Sequence, residues 1–432
     1  MTTNAPFHHL LQGRTLVPVI LGGDIGGYSL ARAFHEAFGV KSIIMSSTLG
    51  GVVRDSTIVI NDVRPDMDDP DVAVAALHEI ARANPGAALI AIASADWLVH
   101  TLIERRAELE PEYAIPYVDE ALFDTVTSKE EFAKLCQEYG LAHPITTVVN
   151  LAVGPEIDTE ELRFPVIAKA GSTEAFHAVD YPGKEKVATV ESAPDLHDLL
   201  RRVHESGYRD SFIIQDLIPG DDAGLRIVNT YVDKSGEVTY SVFGHILLQE
   251  HTPSTVGNSS VVMTVEDADA QAQIARLLTG IGWRGVASLD MKVDPRTGDM
   301  VYFELNPRMS RSNYYVTGSG VNPAVTYVRE WLLGLPAADA PVPLAPSDHL
   351  FTVVPRALLK HYVIDPALRA QVKRLLRTKT SNPLWNSNDR APKRVAYVLA
   401  HQVNQVRKYR TFYPRAVQQA EYNAGLEAAK AK

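Results

Sequence analysis

Over residues 15–125, short apolar runs alternate with one-sided helical stripes. Leu16–Leu21 is a continuous apolar run. It is followed by the turn GGDIGG and by a segment, 28–38, whose Leu30, Ala31, Phe34 and Phe38 fall on one side of a helix. The runs 42–45, 57–60 and Ala88–Ala93 read as further short buried strands, with 72–83 and 97–106 as the helices between them. Such alternation implies an α/β domain with an open parallel sheet. Beyond it the pattern changes. Residues 128–140 predict a helix with an apolar stripe of Phe132, Leu135, Cys136 and Tyr139. A Ser128–Glu131 capping box opens it and Gly140 stops it. An apolar strand near 164–170 is interrupted by Lys169, and a strand at 211–220 ends in a Pro-Gly turn. Two strands, 286–293 and 300–305, flank the polar turn 294–299. GVNP at 320–323 opens another helix, and apolar runs such as LFTVV and RVAYVLAHQV continue after 347.

The hairpin of 286–305 carries the strongest chemical signal. Asp290 lies on its first strand, and Glu304 and Asn306 lie at the end of its second. Alternate residues of a strand point the same way, so the three side chains can converge on one face. Two carboxylates and an amide oxygen make a hard-oxygen set suited to Mg²⁺ beside phosphates. The solvated-acid alternative fits less well, because Glu304 and Asn306 directly follow an apolar run. Arg308 and Arg311 come next and offer forked donors to phosphate or carboxylate oxygens. Upstream, Lys169 in its apolar run needs a charge partner, and the Gly171-Ser-Thr loop beside it can wrap phosphates with backbone N–H groups. Lys129 sits in the first turn of its helix, against the dipole; a phosphate contact and a solvated surface lysine both account for it.

The glycines after the first strand do not make a dinucleotide site. The G-x-G-x-x-G spacing is absent, and the second strand ends in SIIMSS with no ribose-binding acid. A glycine turn at the carboxyl end of such a strand is still a place for ligands. For Asp24 a substrate contact and a helix cap stand level; for Asp96 the cap is the expectation.

FELNPRMSRSN at 303–313 resembles the E-x-N-P-R-x-S-R signature of the ATP-grasp ligases, including the carbamoyl-phosphate-synthetase-like branch. LGGDIGGYSLARAFHEAFG at 21–39 resembles the opening of the D-aspartate-ligase-like members. The resemblance implies an α+β ATP-grasp architecture: a pre-grasp domain over 1–125, a small lobe or lid over 126–215, and a large lobe over 216–340. A basic helical extension would follow over 341–432. It implies ATP and Mg²⁺, with Mn²⁺ as a substitute, held through Asp290, Glu304 and Asn306. Lys129, Lys169 and the weaker candidates Lys184 and Lys186, placed on the next strand, would touch nucleotide phosphates. Gln215, Asp216 and Ile218 would line the adenine pocket, with Asp221 or Asp222 at the ribose. Arg308 would face the γ-phosphate and the acyl phosphate, joined by Arg311 and Lys169 in catalysis; Asp24, Arg308 and Arg311 would meet the substrate. One departure stands out: the lid GSTEAF has one glycine where many members carry several. The loop 251–260 is expected to shape the acceptor pocket.

Composition adds limits. The 432 residues suit two or three domains, and 46% hydrophobic with 22% charged residues is ordinary for a globular chain. The lone Cys136 excludes an internal disulfide and reads as a buried structural thiol. No signal-peptide pattern and no membrane-length apolar stretch is seen, so a cytoplasmic protein is expected. The net charge of −10 is uneven: from Pro346 onward 16 Lys/Arg face 5 Asp/Glu, a net of +11, leaving −21 on the rest. The basic segment is expected to dock on the acidic body as a folded cap, and aromatic-basic stretches such as KYRTFYPR do not amount to a nucleic-acid module.

The expected activity is amide-bond formation between an amino-acid carboxylate and an amine through an acyl phosphate, with no protein nucleophile. A D-aspartate-ligase-like enzyme acting on a peptidoglycan precursor is the first expectation, its basic segment suiting a UDP-linked peptide acceptor. A homodimer is the oligomer allowed for. Another amino-acid or dipeptide ligase comes second, and a silent nucleotide-binding protein third. A complete carbamoyl-phosphate synthetase is disfavoured, since there is one grasp module and no amidotransferase region.

Overall fold

The computed structural model describes residues 5–160, 162–171, 175–176, 178–253, 255–339 and 347–430. Three of the five positions of the lid sequence after Gly171, and Ser254 of the loop 251–260, therefore lie outside the described residues.

The first sheet contains β1 (Leu16–Leu21), β2 (Ser42–Ser46), β3 (Val59–Val63), β4 (Ala88–Ala93) and β5 (Tyr113–Ala114). All its pairings are parallel, in the order β3-β2-β1-β4-β5. The chain moves outward from β1 to one side through β2 and β3, then returns to the other side of β1 at β4. That reversal leaves a crevice at the carboxyl ends of β1 and β4, the usual ligand position in open α/β sheets. β1 is buried throughout, as its unbroken apolar run requires. β3 differs from the expected buried strand: it is an edge, and Ile60 is 52% exposed. The glycines after β1 serve close packing. Gly22 has φ +107°, and a Cβ there would overlap the Ser94 hydroxyl; a Cβ on Gly27 would overlap the Gly22 carbonyl.

The second sheet is small and antiparallel: β6 (Thr146–Asn150), β7 (Val166–Ala170), β8 (Val187–Val190) and β9 (Ser211–Asp216), in the order β6-β9-β7-β8. The helix Ala193–Glu205 packs Leu196, Leu199, Leu200 and Val203 against it, and this lobe has its own hydrophobic core. The third and largest sheet has β10 (Leu225–Val232), β11 (Val238–Gln249), β12 (Ser259–Thr264), β13 (Gly285–Val293), β14 (Met300–Asn306), β15 (Leu350–Thr352) and β16 (Thr380–Ser381). Its order is β14-β13-β10-β11-β12-β15-β16.

The basic segment is therefore more than an added cap. β15 pairs with β12 and β16 with β15, so this segment supplies two strands of the large sheet. The rest docks on the first domain. Asp389 accepts hydrogen bonds from the Tyr28 hydroxyl at 2.7 Å, the Ser56 hydroxyl at 2.7 Å and the Thr57 N–H at 2.7 Å. Arg394 lies 3.3 Å from Asp389, donates to the Val52 carbonyl and stacks over Tyr28; both charged side chains are fully buried. Burial works against ionised Asp389, but these donors and Arg394 outweigh it and hold its pKa below the ordinary value.

This buried pair carries a prediction. Asp389→Ala leaves Arg394 without its counter-charge and should cost about 3–5 kcal/mol in urea unfolding. Ser56→Ala removes one hydroxyl donor to Asp389 and the acceptor of the Ile58 N–H at 3.3 Å, and should cost about 1 kcal/mol.

Candidate functional site

The hairpin β13–β14 brings the metal-type residues together. Asp290 stands directly across from Glu304, and Ser288 across from Asn306. Since β13 also pairs with β10, the hairpin is backed by the large sheet. The register shifts beside Asp290, where Phe303 forms an unpaired bulge next to Glu304. The Asn306 amide donates to Asp290 Oδ2 and Glu304 Oε1, each at 3.3 Å, so the positive end of its dipole sits where both carboxylates converge. The expected convergence is present.

The two acids are unequal. Lys129 Nζ donates to Glu304 Oε2 at 2.6 Å. Chiefly through that charge, with Lys169 and Asn306 adding to it against the penalty of burial, Glu304 is held well below the usual carboxylate range. Asp290 is pushed upward by burial and by the neighbouring Glu304 charge, which Arg308 and Lys129 only partly offset. Glu304 keeps 39% of its side chain accessible, so the pair lines a cleft. Facing oxygen donors with a deficit of positive charge fit a hard divalent cation. Among the described residues no group of three or more His, Cys, Asp or Glu makes a metal cluster, and the Asn306 oxygen faces Arg308 Nη2 at 3.4 Å rather than the two carboxylates.

Lys129 begins the helix Lys129–Glu138, whose N-cap Ser128 accepts from the Glu131 N–H. Only half of the expected capping box forms. Ser128 also ends the preceding helix, and its N–H is already bonded to the Asp124 carbonyl. The Glu131 carboxylate instead pairs with Lys134 at 2.7 Å. Lys129 is thus neither a solvated surface lysine nor free; it reaches across to the hairpin.

Lys169 sits on β7, and no ion pair forms to it among the described residues, contrary to the expected charge partner. Burial, reinforced by the like charge of Lys129, lowers its pKa to about 8. A cation held without a partner beside a cleft suits an anionic ligand. Lys184 and Lys186 do not lie on β8 but precede it. Lys184 is used internally, donating to the Phe176 and Val179 carbonyls at 2.8 and 2.5 Å, whereas Lys186 is exposed.

The expected adenine segment ends β9. Gln215 is buried and donates to Thr146 Oγ1 at 2.9 Å, while Asp216 Oδ1 is buried without a hydrogen-bond partner among the described residues. The carbonyls of Ile218 and Gly220 both accept from Lys292 Nζ at 2.8 Å. Lys292 went unnoticed in the sequence because it simply alternates with apolar residues on its strand. Asp222, expected near the ribose, is buried and accepts from the Gln249 N–H at 2.9 Å and His251 Nε2 at 3.0 Å. Asp221 caps the short turn Asp222–Gly224.

Both arginines of the signature cross to the parallel sheet. Arg308 pairs with Asp96 through Nη2–Oδ2 and Nε–Oδ1, each at 2.8 Å. Asp96 is not the cap the sequence suggested: Ala95 is the N-cap of Asp96–Glu104, with no side-chain cap bond. Arg311 Nε lies 3.5 Å from Asp24 Oδ2, and its Nη1 lies 3.3 Å from Glu250 Oε1. Asp24 is also a helix cap, its other oxygen accepting from the Gly27 N–H at 2.9 Å. Glu250 was missed, although an acid ending a long apolar strand is the same signal that singled out Glu304. Cys136 is buried, as expected, and burial raises its thiol pKa to about 12.

No protein-family model matches the sequence. A D-aspartate ligase of Enterococcus faecium is 28% identical over 411 residues, covering 92% of this chain and 98% of the relative. Among solved structures, an L-amino acid ligase from Bacillus licheniformis covers 74% of each chain at 15% identity, with a TM-score of 0.51. An N5-carboxyaminoimidazole synthetase from Staphylococcus aureus, solved with ADP, aligns over 78% of this chain and 80% of its own at 14% identity and TM-score 0.55. The chain has the ATP-grasp fold. The hairpin β13–β14 belongs to the largest sheet and Lys169 to the small antiparallel one. No described helix is long and apolar enough to cross a membrane.

Lysine NMR tests the electrostatics of this cleft. In ¹³Cε-lysine spectra one resonance, absent from Lys169→Met, should titrate near pH 8. ADP should move that midpoint upward, because a phosphate oxyanion favours the protonated amine.

Proposed function

We propose that this ATP-grasp ligase activates the β-carboxylate of D-aspartate and joins it to the amine of a peptidoglycan precursor carried on a UDP-linked peptide. The observation that carries the catalytic part is the facing Asp290–Glu304 pair, with too little positive charge of its own, set between Lys129 and Lys169 on one side and Arg308 on the other. Likeness to the D-aspartate ligase along nearly its whole length supports the choice of substrate.

In this reading Asp290, Glu304 and Asn306 hold Mg²⁺, or Mn²⁺ in its place, on the ATP phosphates. Such an ion neutralises developing charge on the transferred phosphoryl group. Lys129 and Lys169 contact phosphate oxygens, and Gln215, Asp216 and Ile218 form the wall for the base. Lys186, Asp222 and the backbone near the lid are the lesser contacts. An oxygen of the substrate carboxylate bonds to the γ-phosphorus as its bond to the bridging oxygen of ADP breaks. The acceptor nitrogen then bonds to the acyl carbon, phosphate leaves, and the nitrogen gives up a proton. Arg308 balances charge on the tetrahedral centre, and Arg311 and Asp24 hold the amino acid. The many exposed cations of residues 347–430 offer a surface for the diphosphate of the acceptor. Because two strands of that segment belong to the large sheet, charge reversal tests its role better than truncation.

Phosphate release from ATP and Mg²⁺ should be stimulated by D-aspartate above other D- and L-amino acids, and further by an amine acceptor. Glu304→Gln and Asp290→Asn should each lower that rate on the order of 10²-fold or more with the fold intact by circular dichroism. Stimulation by a different amino acid would replace the substrate, and nucleotide binding without turnover under any pairing would replace the enzyme by a nucleotide-binding protein.

A further inference from the structure

The long helix Pro392–Phe412 is turned partly inside out. Leu399 and Val403 are 54% and 71% exposed, whereas Gln405 is buried and faces the body. Tyr397, His401, Gln405 and Lys408 recur at helical spacing and form one inward stripe. Tyr397 lies against Gly51, where a Cβ would overlap its ring. Gln405 and Lys408 line a cavity of about 10 Å³ with Glu250, His251 and Tyr409. A helix that exposes leucine and valine while burying an amide needs a polar counterpart on its inner side.

That counterpart is the charge cluster around Glu250. This carboxylate is 3% exposed, and it holds Arg311 Nη1 at 3.3 Å on one oxygen and Lys408 Nζ at 3.5 Å on the other. Arg311 also has Asp24 at 3.5 Å. Every contact is longer than the ~2.7–2.9 Å of a close charge-assisted bond. Arg308 and Asp96, nearby in the same cleft, meet at 2.8 Å. Beside this loose set, Gln405 Oε1 and His401 Nδ1 are buried with no hydrogen-bond partner among the described residues. His401 and Gln405 use their remaining nitrogens on each other at 3.3 Å. Burial keeps His401 neutral, lowering its pKa to about 4. Two cations, two acids, an unused amide oxygen and an unused imidazole N–H, loosely held at the crevice above β1, match a molecule that itself carries a carboxylate and an ammonium on one carbon.

Building on the proposed ligase reaction, we infer that the helix Pro392–Phe412 completes the amino-acid site. Arg311 and Lys408 receive the carboxylate that does not react, and Glu250 with Asp24 receives the ammonium. Arg308 and the hairpin then meet the carboxylate that does react. Lys408 is thereby an anchor for the unreactive α-carboxylate, supplied from a segment more than 90 positions beyond the signature arginines.

The test uses the full chain with Mg²⁺ and ADP bound, and calorimetry with D-aspartate and D-alanine as probes. Lys408→Met should weaken D-aspartate binding about tenfold or more while leaving ADP affinity within twofold, which also reports an intact fold. Lys408→Arg should restore most of it. D-alanine, which keeps the α-carboxylate and ammonium but has no second carboxylate, should bind the wild type at least about tenfold more weakly and lose further affinity in Lys408→Met. Unchanged D-aspartate binding in Lys408→Met, equal loss of ADP and D-aspartate, or no D-aspartate binding to the wild type would each overturn the site. Because binding is read without turnover, D-aspartate binding that depends on Lys408 in a protein that releases no phosphate would count for this site and against the ligase chemistry.

Discussion

Two arginines, three positions apart on the turn after β14, each reach an aspartate at the carboxyl end of a different strand of the parallel sheet. Arg308 meets Asp96 beyond β4, and Arg311 meets Asp24 beyond β1. These strands are neighbours, on either side of the point where the sheet order reverses. The pairing fixes the large lobe over the crevice of the first domain, and every other feature of the site takes its place from that. Asp290 and Glu304 come to lie between the arginines and the two lysines. The surrounding interface is polar and specific: Asn313 donates to the Gly26 carbonyl at 3.1 Å, Asn322 to the Ala33 carbonyl at 3.0 Å, and Arg32 lies over the Tyr314 ring.

Much of this was legible because it was periodic or local. Runs of one hydrophobic character gave β1 and β4 to the residue, and the hairpin acids could be paired because strand alternation and turn length leave few registers. What escaped had long-range causes. Asp96 looked like a cap, since nothing local announces an arginine more than 200 positions away. Lys184 looked available for a nucleotide until its internal partners were visible, and the partners of Asp222 on Gln249 and His251 lie far along the chain from it. The inward stripe of Pro392–Phe412 was hidden by composition, because valine, leucine and tyrosine on that helix suggest burial of the opposite face.

The basic segment joins electrostatics to architecture. Its charge excess is partly used where it crosses the acidic body, through Lys408 on Glu250 and Arg394 on Asp389, and partly left on the outer surface. Aromatic packing holds the same crossing: His251 stacks on Tyr413 at 3.5 Å between ring centroids, and the Tyr409 hydroxyl donates to the Gln249 carbonyl at 2.7 Å. The loop that carries Glu250 is therefore gripped from outside as well as from its own strand.

The bonds that Asp389 makes to Tyr28, Ser56 and Thr57 span 361, 333 and 332 positions of sequence. Closing loops of that length cannot precede synthesis of the far partner, and such distant contacts form late in folding. During translation the parallel sheet emerges first and waits, its Gly51 loop uncovered, while the rest of the protein is made. The edge of the large sheet at β12 waits likewise for β15. A nascent chain made only as far as residue 388 lacks Asp389, Arg394 and Lys408, and with them the outer wall over the Gly51 loop and Glu250. Ordering of that wall belongs to the last steps of maturation, and a ribosome that stalls before residue 389 releases a protein with a hairpin but no finished site.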